Sequence, residues 1–195
     1  QIELCAGYWE IRGAKKAFEL EGKTVGIIGM GAIGREVAKI CAGCGMKVSG
    51  YDPFMSREKI EALGAAYYEN YEDLLKEADV VTIHVPLTDQ TRDMITKKQL
   101  ATMKPTALLI NTSRGPIVNE KDLAEALNHD VIAGAAVDVY SVEPAELTNP
   151  VFQAKNLICT PHSAALTREA TDRMAVQCAR GCLAVCLGEE WPDVV

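Results

Sequence analysis

The sequence predicts an α/β fold in which a parallel sheet is covered by helices on both faces. Short apolar segments rich in β-branched residues alternate with segments of helical length along residues 23–187. This alternation is typical of right-handed βαβ units, which build parallel sheets. No internal repeat or low-complexity segment interrupts it. We therefore expect a doubly wound domain whose functional residues lie beyond the carboxyl ends of the strands.

A glycine-rich turn at residues 29–34 joins the first predicted strand to an amphipathic helix. The spacing of Gly29, Gly31 and Gly34 is that of a dinucleotide-binding turn. Gly29 provides the backbone angles of the turn, Gly31 lets the chain approach a pyrophosphate, and Gly34 lets helix and strand pack closely. The free N–H groups and the positive dipole end of the helix attract the phosphates.

An acidic residue follows the second predicted strand, residues 47–51. Asp52 lies 18 residues beyond Gly34, where a carboxylate accepts hydrogen bonds from the adenosine ribose. Its charge repels a 2′-phosphate, so we expect NAD rather than NADP. A glycine turn can also be purely structural. Dinucleotide binding and a Rossmann-type fold are favoured here, because the strand, the glycines, the helix and the acidic residue occur at the expected spacing.

The remaining elements follow from periodicity and from capping residues. Ser56 and Asn119 are expected to cap helices, and Gly64 to end one. Further strands are predicted over 79–84, 107–110, 131–139 and 156–159, the third broken at Gly134, and further helices over 56–63, 72–78, 97–103, 119–127 and 166–187.

Composition excludes several classes of protein. The chain has 195 residues, 48% of them hydrophobic and 24% charged, as in ordinary globular proteins. A formal net charge of −7 argues against nucleic acid or an anionic membrane as the main partner. No apolar run approaches the length of a membrane span. Because the chain begins at Gln1 rather than Met, we expect either that its N-terminus was removed or that it is an excised piece.

Seven cysteines, an odd number, favour reduced thiols and a cytoplasmic location. Cys41 and Cys44 form a CxxC near the end of the first helix, but no second pair of ligands lies at zinc spacing. We therefore expect no metal. Cys178, Cys182 and Cys186 recur every four residues, so we expect them on one helix face as small side chains of a core or interface.

Charged residues follow several predicted strands, at the edge of the sheet where function is expected. Three of them form a chemical set. The planar guanidinium of Arg114 suits a carboxylate. The imidazole of His162 can exchange a proton near neutral pH, and Glu143 could pair with it and fix its tautomer. His84 also ends a strand, where a packing role is favoured over proton transfer.

Several motifs occur together and in a consistent order over most of residues 23–170. They are Gly29–Gly34, His84-Val85-Pro86-Leu87-Thr88, Asn111-Thr112-Ser113-Arg114-Gly115, Gly134–Tyr140, Glu143-Pro144 and Thr160-Pro161-His162. On these motifs the chain resembles the NAD-dependent D-2-hydroxyacid dehydrogenases, the group that contains D-3-phosphoglycerate dehydrogenase and glyoxylate/hydroxypyruvate reductases.

The resemblance implies a role for each residue of the set. Arg114 would bind the substrate carboxylate and polarise the adjacent carbonyl. His162 would be the acid in reduction or the base in oxidation, and Glu143 would orient it. The cofactor NAD would be held by Gly29, Gly31, Ala32, Ile33, Gly34, Asp52, Pro86, Thr112, Ser113, Asp138 and Ala164. Among these, Ala164 stands where the family often has glycine, and we expect only a small effect on the pocket wall.

The resemblance also implies a domain division. Residues 21–165 would form the NAD-binding domain. Residues 1–20 would be an N-terminal arm or interdomain helix, and residues 166–195 a closing helix that returns toward a separate substrate-binding domain absent from this sequence. Family members dimerise through the NAD-binding domain, so a homodimer is expected.

Two other functions stay open at this point. Some members of the superfamily are NADH-responsive corepressors that keep the same three residues, so the chain could be a binding module rather than an enzyme. A zinc or redox protein built on Cys41 and Cys44 is the remote alternative.

Overall fold

The computed structural model describes residues 6–8 and 17–191 and contains one α/β domain followed by a long helix. The strands are β1 (Thr24–Ile28), β2 (Lys47–Tyr51), β3 (Ala66–Tyr67), β4 (Val80–Ile83), β5 (Leu108–Asn111), β6 (Gly134–Val137) and β7 (Leu157–Cys159). The helices are α1 (Ala32–Gly43), α2 (Arg57–Glu61), α3 (Tyr71–Glu77), α4 (Lys97–Leu100), α5 (Glu120–Asn128) and α6 (Arg168–Leu187), with 3-10 turns at Gly115–Ile117 and Pro150–Gln153.

All seven strands form one parallel sheet in the order β3-β2-β1-β4-β5-β6-β7. The first six strands of this order follow the dinucleotide-binding arrangement, in which the chain reverses direction across the sheet between β1 and β4. The predicted doubly wound fold is therefore confirmed. The reversal opens a crevice at the carboxyl ends of β1 and β4, and the glycine turn lies there.

Two hydrophobic clusters cover the two faces of the sheet. One joins β1, β4 and β5 to α3, α4 and α5 through residues such as Leu74, Leu100 and Leu123. The other places Ala38 of α1 and Ile60 of α2 against β1 and β2. Neighbouring residues on one strand contribute to opposite clusters, because side chains alternate across a strand.

The capping predictions hold in part. Asn119 accepts the backbone N–H three residues ahead and caps α5 as predicted. Asn70 caps α3 in the same way, although this cap was not predicted. Ser56 lies at the start of α2, although its side chain makes no capping hydrogen bond. Gly64, at φ +77°, follows the end of that helix as expected.

The sheet differs from the prediction at two places. The two-residue strand β3 was not predicted, because two residues carry no periodicity. The predicted strand 131–139 is shorter, and Gly134 begins β6 instead of breaking it. A side chain at this position would meet the carbonyl oxygen of Asn156 at 2.9 Å, so the glycine allows the close pairing of β6 with β7.

The helix α6 stands largely free of the domain in this chain. Ala184 is its one buried residue, while Cys178, Cys182 and Cys186 are exposed. The core alternative for these three positions is therefore wrong for this chain, and the interface alternative stays a prediction. Most of the predicted N-terminal arm, residues 1–5 and 9–16, and the last four residues of the predicted closing segment lie outside the described residues.

The described part of the chain lacks two features. Residues 6–8 and 17–191 contain no group of histidine, cysteine and acidic side chains that could hold a metal ion. No helix in these ranges is long and apolar enough to span a membrane.

Candidate active site and cofactor cleft

The glycine turn has the geometry that the sequence predicts for two of its glycines. Gly29 has φ +96°, and a side chain there would meet the carbonyl oxygen of His84 at 2.5 Å. At Gly34 a Cβ atom would collide with the backbone oxygen of Gly29, so α1 packs on the turn only because this residue has no side chain. These two glycines are required by the fold itself.

Gly31 differs, because nothing in the described part of the chain requires a glycine at that position. Its φ is −66°, and a Cβ atom would meet no atom of the described residues within 4 Å. It precedes α1 without any side-chain cap, and the first turn of the helix carries no acidic residue. The first N–H groups of the helix therefore face an open space. Ala32 and Ile33, which begin the helix, are exposed at the same place.

Asp52 lies beside this turn, as the sequence predicts. Its Oδ2 accepts the backbone N–H of Met30 at 2.9 Å, and its Oδ1 accepts that of Phe54 at 2.9 Å. The carboxylate thus closes the crevice on the side of β2 and connects it to the glycine turn. Each oxygen keeps acceptor capacity for a ribose hydroxyl.

The segment after β4 forms the opposite side of the crevice. The backbone N–H of His84 donates to Ile28 at 2.7 Å, and its half-buried ring bonds the hydroxyl of Thr82 at 3.0 Å. Burial lowers the pKa of His84 below its usual value, which suits a neutral packed ring. Pro86 is exposed at the rim, where its carbonyl accepts the hydroxyl of Thr91 at 2.6 Å.

Arg114 lies in a turn directly after β5. Its side chain is exposed, and one guanidinium nitrogen, Nη1, donates to the carbonyl of Ser113 at 2.7 Å. Within residues 6–8 and 17–191 no other group pairs with the guanidinium, so the rest of its donors are available to a carboxylate. Thr112 is exposed and Ser113 half-buried in the same turn.

Glu143 and His162 form a hydrogen-bonded pair. The Nδ1 atom of His162 lies 2.7 Å from Oε2 of Glu143, while Oε1 of Glu143 accepts the backbone N–H of Tyr140 at 2.9 Å. The hydrogen bond with His162 is the main cause that lowers the pKa of Glu143, followed by the Tyr140 amide, with a smaller contribution from the charge of Arg114. The carboxylate thus fixes the imidazole orientation, and Nε2 has no partner in the described chain.

The backbone of His162 takes an unusual conformation, with φ +51°. A histidine with positive φ is uncommon and persists where the surroundings hold it. Its own N–H donates to the carbonyl oxygen of Asp138 at 2.7 Å. The backbone of Asp138 therefore holds the backbone of the loop, and the side chain of Glu143 holds the imidazole.

Asp138 has a structural task that the sequence analysis did not predict. Its side chain is 3% exposed and accepts the hydroxyl of Thr160 at 2.5 Å and the backbone N–H groups of Ser163 and Ala164 at 2.8 Å each. Burial acts to raise its pKa, but these three hydrogen bonds together with the charge of His162 outweigh it and hold the pKa below its usual value. Asp138 thus shapes the loop around His162, and its expected contact with NAD stays a prediction.

Asn111, Gly115 and Tyr140 belong to the sequence motifs, but the sequence predicts no role for them. A Cβ atom at Gly115 would collide with the backbone of Tyr140, its carbonyl carbon lying 2.0 Å away. The Arg114 turn therefore rests directly on the segment that leads to Glu143. The glycine directly after Arg114 could have indicated a close backbone contact, although the sequence does not show which part of the chain makes it.

A cavity of 540 Å³ opens beside the hydrogen-bonded pair of Glu143 and His162. Glu143 and His162 line it together with Tyr140, Phe152 and Cys159. The hydroxyl of Tyr140 donates to the carbonyl of Thr160 at 2.9 Å. Burial is the main cause that raises the pKa of Tyr140 to about 12, so this hydroxyl stays protonated and acts as a fixed donor.

The fold and the crevice together define a dinucleotide-binding domain of the doubly wound class. Comparison with known proteins makes this more specific. Residues 2–164 match the family described as D-isomer specific 2-hydroxyacid dehydrogenase, NAD binding domain. The chain belongs to this family, and NAD is its cofactor.

The relatives agree with this assignment. The chain is 44% identical over 177 residues to a glyoxylate reductase of Aeropyrum pernix, with 91% of this chain and 52% of the relative covered. It is 41% identical over 192 residues to a D-3-phosphoglycerate dehydrogenase of Methanocaldococcus jannaschii, with 98% of this chain and 36% of the relative covered. The chain therefore spans about half, or less, of these relatives.

Solved structures give the same result. The NAD-complexed D-isomer specific 2-hydroxyacid dehydrogenase of Lactobacillus delbrueckii ssp. bulgaricus superposes with a TM-score of 0.83 at 34% identity, covering 94% of this chain and 59% of that one. The D-lactate dehydrogenase of Lactobacillus jensenii with NAD+ gives a TM-score of 0.82 at 35% identity, covering 92% of this chain and 57% of that one.

Proposed function

We propose that the protein containing this chain is an NAD-dependent oxidoreductase that interconverts a 2-oxo acid and a D-2-hydroxy acid. The observation that carries the proposal is the 2.7 Å contact between Nδ1 of His162 and Glu143. It leaves Nε2 free for acid–base work, while Arg114 in the neighbouring loop offers a carboxylate anchor. The D stereochemistry rests on the family membership.

In this mechanism each of the three residues has one task. Arg114 binds the substrate carboxylate through its planar donors, which fixes the position of the adjacent carbonyl group. Nε2 of His162 donates a proton to the carbonyl oxygen in reduction and accepts it from the hydroxyl in oxidation. Glu143 holds the ring and stabilises the imidazolium that exists before reduction.

The crevice residues fit NAD, which supplies the hydride when bound. The open space at Gly31 and the uncapped start of α1 suit the pyrophosphate, and Asp52 suits the ribose hydroxyls. The remaining binding residues proposed are Gly29, Ala32, Ile33, Gly34, Pro86, Thr112, Ser113, Asp138 and Ala164.

Steady-state kinetics on the complete natural protein test the proposal. The names of the relatives suggest two substrates, so the assays combine glyoxylate with NADH and D-3-phosphoglycerate with NAD+. We expect turnover with at least one of them. His162→Gln should lower kcat by about 10²- to 10⁴-fold, the usual contribution of a general acid.

The matched control is His129→Gln. His129 is exposed at the end of α5, where Nδ1 bonds the carbonyl oxygen of Glu125 at 2.8 Å, and its replacement should leave kcat unchanged. A protein that binds NADH but turns over no 2-oxo acid or 2-hydroxy acid would contradict the enzyme and favour an NADH-responsive binding module instead.

We also propose a domain division, a homodimer and a cytoplasmic location. Residues 21–165 would be the NAD-binding domain, residues 1–20 an arm, and residues 166–195 a segment that leads to a substrate-binding domain. The six cysteines of the described ranges are all free, which supports a reducing compartment. Light scattering tests the homodimer, and a monomeric mass would contradict it.

A further inference from the structure

Asn111, the last residue of β5, is a buried polar side chain for which the proposed mechanism has no task. It is 1% exposed. A buried amide stabilises a fold only when its donors and acceptor find partners, so the direction in which the amide points matters. Within the described residues, the hydrogen bonds of the Asn111 side chain all go to Ser113 and Arg114, which form the Arg114 turn.

The three hydrogen bonds of this amide are specific. Its Oδ1 accepts the backbone N–H of Ser113 at 3.1 Å and the hydroxyl of Ser113 at 2.8 Å. Its Nδ2 donates to the carbonyl oxygen of Arg114 at 3.0 Å. The orientation of the amide is unambiguous, because an N–H group needs an acceptor and a carbonyl oxygen needs a donor.

The backbone of Asn111 connects this turn to the other half of the site. Its carbonyl oxygen accepts the N–H of Asp138 at 3.0 Å, and Asp138 in turn holds the loop of His162. The turn also rests on Tyr140 at Gly115. Asn111 thus lies where the Arg114 turn is joined to the segments after β6 and β7, which contain Glu143 and His162.

We propose that Asn111 is a positioning residue that fixes the Arg114 turn so that the guanidinium meets the substrate carboxylate beside His162. The inference rests on the proposed function and adds to it a residue that touches no substrate. Without the amide, the Ser113 N–H loses its partner, the Arg114 carbonyl keeps only the hydrogen bond from the N–H of Ile117 at 3.3 Å, and the turn loses its fixed shape. Because the side chain of Arg114 is long, a small shift of its backbone moves the guanidinium by a larger distance.

The test is a double-mutant cycle on the complete protein. Asn111→Asp has nearly the same size and keeps the acceptor for Ser113, but it replaces the donor to the Arg114 carbonyl with an oxygen. We expect KM for the 2-oxo acid to rise about 10- to 100-fold, as for a catalytic group displaced by about 1 Å. In an Arg114→Ala background the same substitution should leave KM unchanged, because Asn111 acts only through Arg114.

Asn119→Asp is the matched control. Asn119 caps α5 and donates to Asp93 at 3.0 Å, so the chemical change is the same while the Arg114 turn is left intact. Its KM should equal that of the wild type. If Asn111→Asp raises KM equally with and without Arg114, or leaves KM unchanged, the positioning role is wrong.

A binding measurement separates this inference from the proposed function. Oxalate, a small dicarboxylate, is titrated into the protein loaded with NADH. If the wild type shows no turnover but binds oxalate, the enzyme proposal fails, and about 10-fold weaker oxalate binding by Asn111→Asp still supports positioning. Unchanged oxalate affinity in this variant overturns the inference. If the wild type binds no oxalate, Arg114 is not a carboxylate anchor and both proposals fall.

Discussion

The carboxylate of Asp138 accepts the backbone N–H of Ala164 at 2.8 Å, so the residue after β6 holds the loop after β7. Two further donors from the same loop, the hydroxyl of Thr160 and the N–H of Ser163, reach this carboxylate. A single buried acid thus fixes the loop on which the imidazole of His162 is presented.

Asp138→Asn should therefore destabilise the domain. One oxygen becomes an NH₂ group that faces a backbone donor, and a buried unsatisfied group of this kind costs about 1–3 kcal/mol. Urea unfolding measures the loss. Asp130→Asn, at an exposed residue with a 3.4 Å ion pair to Lys155, is the control and should change stability by less than about 0.5 kcal/mol. Equal effects of the two substitutions would contradict the role of Asp138.

The stability of the protein should depend on pH through His84. Burial lowers its pKa below the ordinary value of 6.5, so as the pH falls the unfolded chain takes up a proton before the folded chain does. The free energy of unfolding should accordingly decrease as the pH falls below 6.5. Urea titrations of wild type and His84→Gln measure this, and the variant should lack this part of the pH dependence. The same slope in both proteins would exclude His84 as its source.

Gly31→Ala should separate cofactor binding from folding. The added Cβ meets no atom of residues 6–8 and 17–191, so we expect a change in unfolding free energy of about 1 kcal/mol or less. It points into the space proposed for the pyrophosphate, so NADH affinity should fall about tenfold or more. Calorimetric titration measures the affinity. Gly43→Ala, at an equally open position at the far end of α1, should bind NADH like the wild type.

Asp52 should decide the preference for NADH over NADPH. Its carboxylate repels a 2′-phosphate, so the wild type should bind NADH more tightly, and Asp52→Asn should reduce this preference about tenfold or more. Parallel titrations with the two cofactors provide the ratio. Glu61→Gln removes an equal charge from the exposed end of α2 and should keep the wild-type ratio. A ratio unchanged by Asp52→Asn would mean that Asp52 does not face the ribose.

The sequence predicts those parts of the protein that depend on local chemistry. The glycine turn, the position of Asp52 and the cap at Asn119 follow from spacing and residue type, and the structure contains them. The pairing of Glu143 with His162 was also expected, because both follow strands of one parallel sheet.

Features that depend on the three-dimensional path of the chain could not be predicted. Spacing places Cys178 and Cys182 on one helix face but does not say whether anything covers that face. The side chain of Asn111 reads as the polar end of a strand until the turn beyond it is known. The loop-holding role of Asp138 requires donors 22–26 residues further along the chain.

The close approach of Gly115 to Tyr140 has a consequence for engineering. The Arg114 turn and the segment that leads from Tyr140 to Glu143 are in backbone contact. Neither can therefore change its shape while the other keeps its own. Exchanging substrate specificity with a relative by loop grafting therefore requires residues 111–115 and 138–143 to be transferred as one unit. Grafting either segment alone should produce a folded protein with a misaligned site.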